Sequence, residues 1–229
     1  MSVSNSPMNA SIITIDGPTA SGKGTVAQIV AEKLHFHYLD SGALYRLTAL
    51  SVMRSGINPD DIDQIASIAG NLPCRFEKKR IFLGSEDVTE AIRTEEVGNT
   101  ASVIAAFPKV RRALIDRQTG FKKAPGLVAD GRDMGTIIFP EADLKIFLTA
   151  SVDVRAERRY KQLLEKGIPA NIDSLRNDLI ERDRRDSCRK EAPLVPAEDA
   201  ITLDTSSLDI DETVKRVLSL FARKSSKCS

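Results

Sequence analysis

The chain has 229 residues, with 33 Lys and Arg against 32 Asp and Glu and a formal net charge of +1. This length suits one sizeable α/β domain, and a charge so close to zero argues against a global electrostatic field that would attract nucleic acid or an acidic membrane. The three cysteines are widely spaced and form no C-x-x-C pair, which argues against a zinc site or a disulfide framework and indicates a reducing cytoplasm.

The N-terminal segment 1–10 is rich in Ser and Asn and is expected to be a disordered tail without the features of a signal peptide. An apolar run at 12–16 predicts a buried strand, and residues 23–34 have apolar side chains at helical spacing. No apolar stretch approaches the length that spans a membrane. A cytoplasmic protein is therefore expected.

The next part of the chain predicts a short strand, two helices and a small antiparallel insert. The strand covers 36–40, and the helices cover 42–55, capped by Ser41 and ending near Gly56, and 60–69. The insert has short strands at 75–77 and 80–83, a charged turn at 78–79 between them, and a third short strand near 87–88.

The remaining sequence alternates helices and strands. The predicted elements are helices at 95–106 and 108–121, strands at 126–130 and 145–149, charged helices at 153–166 and 174–189, a strand at 200–203 and a helix at 211–222. This alternation predicts an α/β fold with a central parallel sheet that is covered by helices on both faces. The polar tail 223–229 is expected to fray.

A glycine-rich loop follows the first strand and reads Gly-Pro-Thr-Ala-Ser-Gly-Lys-Gly-Thr. The candidate nucleotide ligands are Gly17, Pro18, Thr19, Ala20, Ser21, Gly22, Lys23, Gly24 and Thr25. A strand, a flexible loop and a helix N-terminus in this order build a cradle of backbone N–H groups for phosphate, and Lys23 can reach the outer phosphates. Gly24 stands where the general pattern has Ser or Thr, so this position has no hydroxyl for magnesium. The alternative, a glycine-rich turn without a ligand, does not explain this order of elements.

Acidic residues end three of the predicted strands, namely Asp16, Asp40 and Asp130. Because the carboxyl ends of parallel strands gather at one edge of the sheet, we expect these ends to meet, as a phosphotransferase requires. Arg132 follows the third strand and can clamp phosphate with two nitrogens. Ser41, Tyr45 and Arg46 follow the second strand and are also candidate ligands. The alternative for Ser41 is that it only caps a helix. The alternative for Tyr45 and Arg46 is that they belong to an ordinary amphipathic helix.

Basic residues are dense between 152 and 193. Arg182, Asp186 and Arg189 have i, i+4, i+7 spacing and are predicted to share one face of a helix. A solvated helix with salt bridges such as Glu181–Arg185 is the alternative. In a phosphate-loop protein, such arginines are expected to form a lid that stabilises the charge on the transferring phosphoryl group.

Five segments together resemble the bacterial cytidylate kinase family, and the resemblance extends over about residues 12–222. The segments are 17–25, 39–46, 92–102, 129–135 and 181–189. The resemblance implies a P-loop kinase fold that forms one domain, 11–222. Its parts would be a core at about 11–40, 104–150 and 195–222, a monophosphate-binding region with the insert at about 41–103, and a helical lid at about 153–190.

The family transfers the γ-phosphoryl of ATP to CMP or dCMP with Mg²⁺, so the resemblance implies this reaction. The protein is expected to be a monomer. The implied acceptor ligands are Ser41, Tyr45, Ser102, Arg111, Arg132, Asp133, Asp186 and Arg189. The implied catalytic residues are Lys23, Arg132 and Arg182. No dedicated metal ligands are predicted, since magnesium would be held mainly through waters, assisted by Thr25 or an acidic strand end. Cytosine has an exocyclic amine that donates a hydrogen bond and a ring nitrogen and a carbonyl that accept one. The side chains with complementary groups are Ser102, Arg111, Asp186 and Arg189.

Three alternatives differ in class. Another kinase on the same scaffold would act on UMP, AMP, dTMP or shikimate. A nucleotide-dependent switch is disfavoured because the sequence has no guanine-reading N-K-x-D segment. An ATPase that acts on nucleic acid is disfavoured by the near-zero charge and 5% aromatic content.

Overall fold

The computed structural model describes residues 10–77 and 80–226, so the expected tail at 1–9 and the turn at 78–79 lie outside the described residues. In chain order the elements are β1 (Ser11–Asp16), α1 (Lys23–Leu34), β2 (His37–Asp40), α2 (Ser41–Ser55), α3 (Ile62–Gly70), β3 (Cys74–Glu77), β4 (Arg80–Leu83), β5 (Glu86–Asp87), a 3₁₀ turn (Ala91–Arg93), α4 (Glu95–Ile104), α5 (Pro108–Thr119), β6 (Gly126–Gly131), a π-helical turn (Met134–Ile138), β7 (Leu144–Thr149), α6 (Val152–Glu165), α7 (Ile172–Ser187), β8 (Ile201–Asp204) and α8 (Ile210–Ser225).

The central sheet has the strand order β2–β6–β1–β7–β8, and all its neighbouring strands pair in parallel. The register places Asp40 opposite Asp130 and Asp16 opposite Gly131. The carboxyl ends of three neighbouring strands therefore meet at one edge, which confirms the predicted α/β fold and brings the acidic strand ends together.

The two faces of the sheet carry separate apolar clusters. Side chains of β1 alternate between them, because Ile12 lies in one cluster and Ile13 and Ile15 lie in the other. The cluster of Ile13 is covered by α1 and α8, through residues such as Val30 and Val217. The cluster of Ile12 is covered by α2 to α5, so helices bury both faces, as predicted.

The small antiparallel sheet contains β3, β4 and β5, and Cys74 pairs with Leu83. This confirms the predicted insert and its third short strand. A bidentate contact from Arg54 at the end of α2 to Glu86 in β5 attaches the insert to the body, at 2.7 and 2.9 Å. Both side chains are exposed, so the pair contributes little to stability.

Several predicted boundaries are wrong. Ser41 is the first residue of α2 and not its cap, because the Asp40 carboxylate accepts the bond from the backbone N–H of Ala43. Helix α7 ends at Ser187, so Arg189 lies outside the helix that was expected to carry it. Helix α8 continues to Ser225, and the first residues of the expected polar tail are therefore helical.

Within residues 10–77 and 80–226, no helix is both long enough and apolar enough to cross a membrane.

Candidate active site

The glycine-rich loop runs from the end of β1 to the start of α1 in a backbone shape that two glycines make possible. Gly17 has φ +152°, and a Cβ there would lie 2.1 Å from the carbonyl oxygen of Leu148. Gly22 has φ +89° directly before the helix. Only glycine fits the first position without moving a neighbouring strand, and the second position favours it. The loop thereby brings its N–H groups to the N-terminus of α1.

Cationic side chains donate hydrogen bonds to the backbone carbonyl groups of this loop. The Lys23 ammonium donates to the Pro18 carbonyl at 3.3 Å, and Arg155 donates to the Thr19 carbonyl at 3.1 Å. Arg158 donates to the Ser21 carbonyl at 3.3 Å. Because the carbonyls face these cations, the loop is held in a shape that leaves its amides for an anion.

Lys23 itself has an unusual environment. Burial, together with the nearby Arg132 charge, lowers the pKa of Lys23 to about 7. A phosphate group beside the ammonium would oppose this shift, because an opposite charge favours the charged form. A bound anion would therefore favour the charged form of Lys23.

Asp130 lies at the strand edge in a second perturbed environment. Burial and the Asp40 charge raise the pKa of Asp130 to about 7. The Tyr38 hydroxyl donates to Asp130 Oδ2 at 2.5 Å. A cation beside these two strand ends would therefore favour the ionised form of Asp130.

Arg132 connects the loop to the predicted lid. Its Nη2 donates to Thr19 Oγ1 at 2.5 Å, and its Nε donates to Asp186 Oδ2 at 2.8 Å. Burial opposes ionisation of Asp186, but Arg132, Arg189 and Arg182 together hold the pKa of Asp186 below its ordinary value. A single guanidinium thus spans the side chains of two segments that are far apart in sequence.

The other predicted acceptor residues lie around this pair. Ser102 donates to Asp186 Oδ1 at 3.4 Å. Arg111 pairs with Asp133, and both side chains are buried. The Arg111 guanidinium also lies 5.9 Å from the ring centroid of Tyr45.

Two further predicted ligands complete the group. Ser41 is buried. Its hydroxyl lies close to Gly131, the residue before Arg132, since a Cβ added to Gly131 would be 3.0 Å from Ser41 Oγ. Arg189 donates from Nε to the backbone carbonyl of Asp186 at 3.2 Å, although it lies beyond the helix. The contacts thus form two groups, one around Asp186 and one around Arg111, while Ser41 lies beside Gly131, which precedes Arg132.

Helix α7 and the segment that follows it present unsatisfied donors to this region. Arg182 Nε and Arg189 Nη2 are buried and have no hydrogen-bond partner among the described residues. Burial and the charges of Arg132 and Arg46 lower the pKa of Arg182 to about 9. An unpaired buried donor costs about 1–3 kcal/mol, so an anionic ligand at this place would be stabilising.

Ion pairs also join α6 and the residue that follows it to the start of α4 and to Glu90, which precedes the 3₁₀ turn. Arg159 binds Glu95 through two nitrogens, one of them at 2.7 Å, and Lys166 binds Glu90 at 2.6 Å. The Glu181–Arg185 pair, which was the example for the alternative of a solvated helix, is present within α7 at 3.7 Å.

A cleft of about 1360 Å³ opens beside the loop. It extends from residues 20–25 past Tyr38 and Asp40 to Phe76 of the insert, and Arg158 and Ile210 line its other side. The cleft is large enough for a nucleoside triphosphate, and Lys23, Arg158 and Lys161 are among the residues that line it.

Sequence reasoning missed several residues that shape the site. Arg155 and Arg158 were recognised only as part of a basic region, yet both bind loop carbonyls. Their i, i+3 spacing, which places both side chains on one face of a helix, was the signal that could have identified them. Arg46 was weighed as an ordinary helix residue, but it is largely buried beside Gly98, where a Cβ would lie 2.9 Å from its guanidinium. The bond from Tyr38 to Asp130 had no signal in the sequence.

Comparison with known proteins gives consistent matches. A family model described as cytidylate kinase matches residues 13–223. The cytidylate kinase of Bordetella bronchiseptica is 56% identical over 218 residues, which cover 95% of this chain and 98% of that protein. The cytidylate kinase of Cupriavidus necator is 59% identical over 211 residues, which cover 92% of this chain and 95% of that protein. Among solved structures, a shikimate kinase from Acinetobacter baumannii in complex with shikimate is 18% identical, with a TM-score of 0.44 and coverage of 93% of this chain and 94% of that chain.

Proposed function

Because the chain belongs to the cytidylate kinase family, it phosphorylates CMP or dCMP with ATP, and we propose that it does so by direct in-line transfer between the loop 17–25 and the residues around Arg132. The products are ADP and CDP or dCDP. One observation carries the proposed geometry: Arg132 donates both to Thr19 of the loop and to Asp186 in the acceptor group. Donor and acceptor phosphates would therefore meet at this guanidinium.

The donor triphosphate would bind the amides of the loop and the ammonium of Lys23. The positions of the loop carbonyls, which face Lys23, Arg155 and Arg158, support this assignment. The remaining part of ATP would occupy the cleft between Arg158 and Ile210.

The acceptor base would be read by Ser102, Arg111, Asp186 and Arg189. A carboxylate with a depressed pKa, such as that of Asp186, can accept the exocyclic amine of cytosine. Uracil has a carbonyl oxygen at that place, so two acceptors would face each other without a proton between them. Asp133, Ser41 and Tyr45 would hold the sugar and pack against the base.

Magnesium would accompany ATP, and the residues present fit it. Asp40 and Asp130 occupy paired positions on neighbouring strands, and each has one oxygen without a hydrogen bond among the described residues. Mg²⁺ binds one or two carboxylates together with waters and substrate phosphates. When bound, the ion would neutralise charge on the phosphates. Within residues 10–77 and 80–226, no group of three or more His, Cys, Asp or Glu side chains could hold a metal without such help.

The chain's own residues would act by position and charge. Arg132 aligns the acceptor phosphate, which is already an anion and needs no strong general base. Arg182 and Lys23 stabilise the charge that spreads over the transferring group. Closure of the lid at about 153–190 excludes water, which would otherwise compete as an acceptor.

The protein is further proposed to act as a cytoplasmic monomer that binds ATP, CMP and dCMP but neither nucleic acid nor membranes. The formal charge of +1 supports this, because it provides no general attraction for polyanions. The division into a core, a monophosphate-binding region at about 41–103 and a lid is part of the same proposal.

Lys23→Ala tests the donor assignment. We expect the variant to keep the wild-type circular dichroism spectrum and to lose turnover of CMP with Mg-ATP. Turnover close to that of the wild type would refute the role of the loop.

A further inference from the structure

Asp16 is the last residue of β1 and directly precedes the phosphate loop. Its carboxylate is buried and makes two bonds to a segment more than a hundred residues away. Oδ1 accepts the backbone N–H of Met134 at 2.9 Å, and Oδ2 accepts that of Gly135 at 2.8 Å. These two amides begin the π-helical turn, immediately after Arg132 and Asp133.

The same turn also packs closely against two other side chains of the sheet. A Cβ at Gly135 would lie 2.8 Å from Thr14 Oγ1 and 3.2 Å from Lys145 Cδ. Thr14 and Asp16 are two residues apart on β1, so their side chains point to the same face of the sheet, where the turn lies. The turn therefore has little room to move toward the sheet.

A carboxylate suits this position for a specific reason. Two converging N–H groups require a group that only accepts, and an ionised carboxylate offers one oxygen to each. An asparagine side chain would present its own NH₂ to one of the two amides. Burial raises the pKa of Asp16 to about 6, and the bonds from the N–H groups of Gly135 and Met134 oppose this shift because they stabilise the ionised carboxylate.

We propose that Asp16 is a positioning residue, which fixes Arg132 and Asp133 at a set distance from the phosphate loop. The end of β1 would thus position both substrates. It continues directly into the loop that binds the donor phosphates, and its Asp16 holds the turn that follows the residues for the acceptor phosphate. This inference rests on the proposed function. A displacement of about 1 Å at reacting groups can cost on the order of 100-fold in rate.

Asp16→Asn is the direct test, and Asp143→Asn is its matched control. Asp143 Oδ2 accepts the backbone N–H of Ile12 at 2.7 Å, so it makes a similar bond at the opposite end of the same strand. We expect Asp16→Asn to lower kcat/KM for CMP by roughly 10- to 100-fold, while the Kd for ATP, measured without CMP, stays within about twofold of wild type. Asp143→Asn is expected to change neither quantity.

If Asp16 only stabilised the strand, Asp16→Asn and Asp143→Asn would have the same kinetics with CMP. If Asp16→Asn and Asp143→Asn have the same kcat and the same KM for CMP, the proposal is overturned. It is also overturned if ATP binding falls as much as kcat/KM, because Asp16 would then support only the loop.

Gly135→Ala keeps the proposal testable if Asp16→Asn does not fold. This variant moves the turn and leaves the loop untouched, so the same selective loss for CMP is expected. Thr14→Ala removes the oxygen that the new Cβ would meet, and the double variant is expected to recover part of the loss. Wild-type kinetics in Gly135→Ala would overturn the proposal.

The wild-type protein separates this inference from the proposed function. If it phosphorylates neither CMP nor dCMP, the proposed function fails, and the variants are compared with the acceptor that it does use. If it phosphorylates CMP and Asp16→Asn is unaffected, only the role of Asp16 fails.

Discussion

Arg132 donates to Thr19 Oγ1 at 2.5 Å, so a side chain that follows β6 lies against the phosphate loop that follows β1. The same guanidinium binds Asp186, and its side chain is only 17% exposed. A planar guanidinium holds the two partners with two different nitrogens in a fixed geometry, whereas an ammonium has all its donors on one nitrogen.

Arg132→Lys is therefore expected to lower kcat by about 10²- to 10³-fold although the positive charge is kept, because a single nitrogen would replace the two that bond Thr19 and Asp186. Steady-state rates with saturating Mg-ATP and CMP measure this effect. A loss of less than about threefold would show that charge alone suffices.

Asp186→Asn is expected to weaken the choice of cytosine over uracil. The amide offers an NH₂ donor to the uracil carbonyl, so the ratio of kcat/KM for CMP to that for UMP should fall roughly tenfold or more. Asp183→Asn is the matched control, because Asp183 lies on the same helix and binds Arg155. An unchanged ratio in Asp186→Asn would remove Asp186 from base recognition.

The depressed pKa of Lys23, about 7, predicts a proton uptake. At pH 8 the free side chain is mostly neutral, and bound phosphates raise its pKa and favour the charged form. Titration calorimetry with ADP at pH 8, in two buffers of different ionisation enthalpy, is expected to show uptake approaching one proton per ADP. Lys23→Ala should abolish it. Equal uptake in both proteins would assign the proton to another group.

Gly17→Ala is expected to destabilise the fold by more than about 3 kcal/mol, because its Cβ would lie 2.1 Å from the Leu148 carbonyl of the neighbouring strand β7. Gly84→Ala is the control. It has φ +61° and no atom within 4 Å of the added Cβ, so a cost of about 1–2 kcal/mol is expected. Urea denaturation measures both, and equal costs would contradict the packing argument.

The order of strands and helices followed from the sequence because the period of the apolar residues changes from two to 3.6 between elements. The loop was equally clear, since its glycines and Lys23 form a local pattern. The predicted N-cap of α2 was wrong because Asp and Ser are both common at that position. Only the extended backbone of Asp40 in the structure shows which of Asp40 and Ser41 is the cap.

The acceptor group depended on the family resemblance. Ser102 and Asp186 are 84 residues apart, and no periodicity relates them. The bonds of Arg155 to Thr19 and of Asp16 to Gly135 could not be predicted for a further reason. In each bond one partner is a backbone group, which every residue has, so the sequence contains no sign of which one is used.

The choice of acceptor tests the central claim most directly. Initial rates would be measured with CMP, dCMP, UMP and AMP at one fixed concentration of Mg-ATP. We expect CMP and dCMP to be phosphorylated with the highest kcat/KM and UMP and AMP to be poor acceptors. A clear preference for AMP or UMP would contradict the assignment of Ser102, Arg111, Asp186 and Arg189 to cytosine.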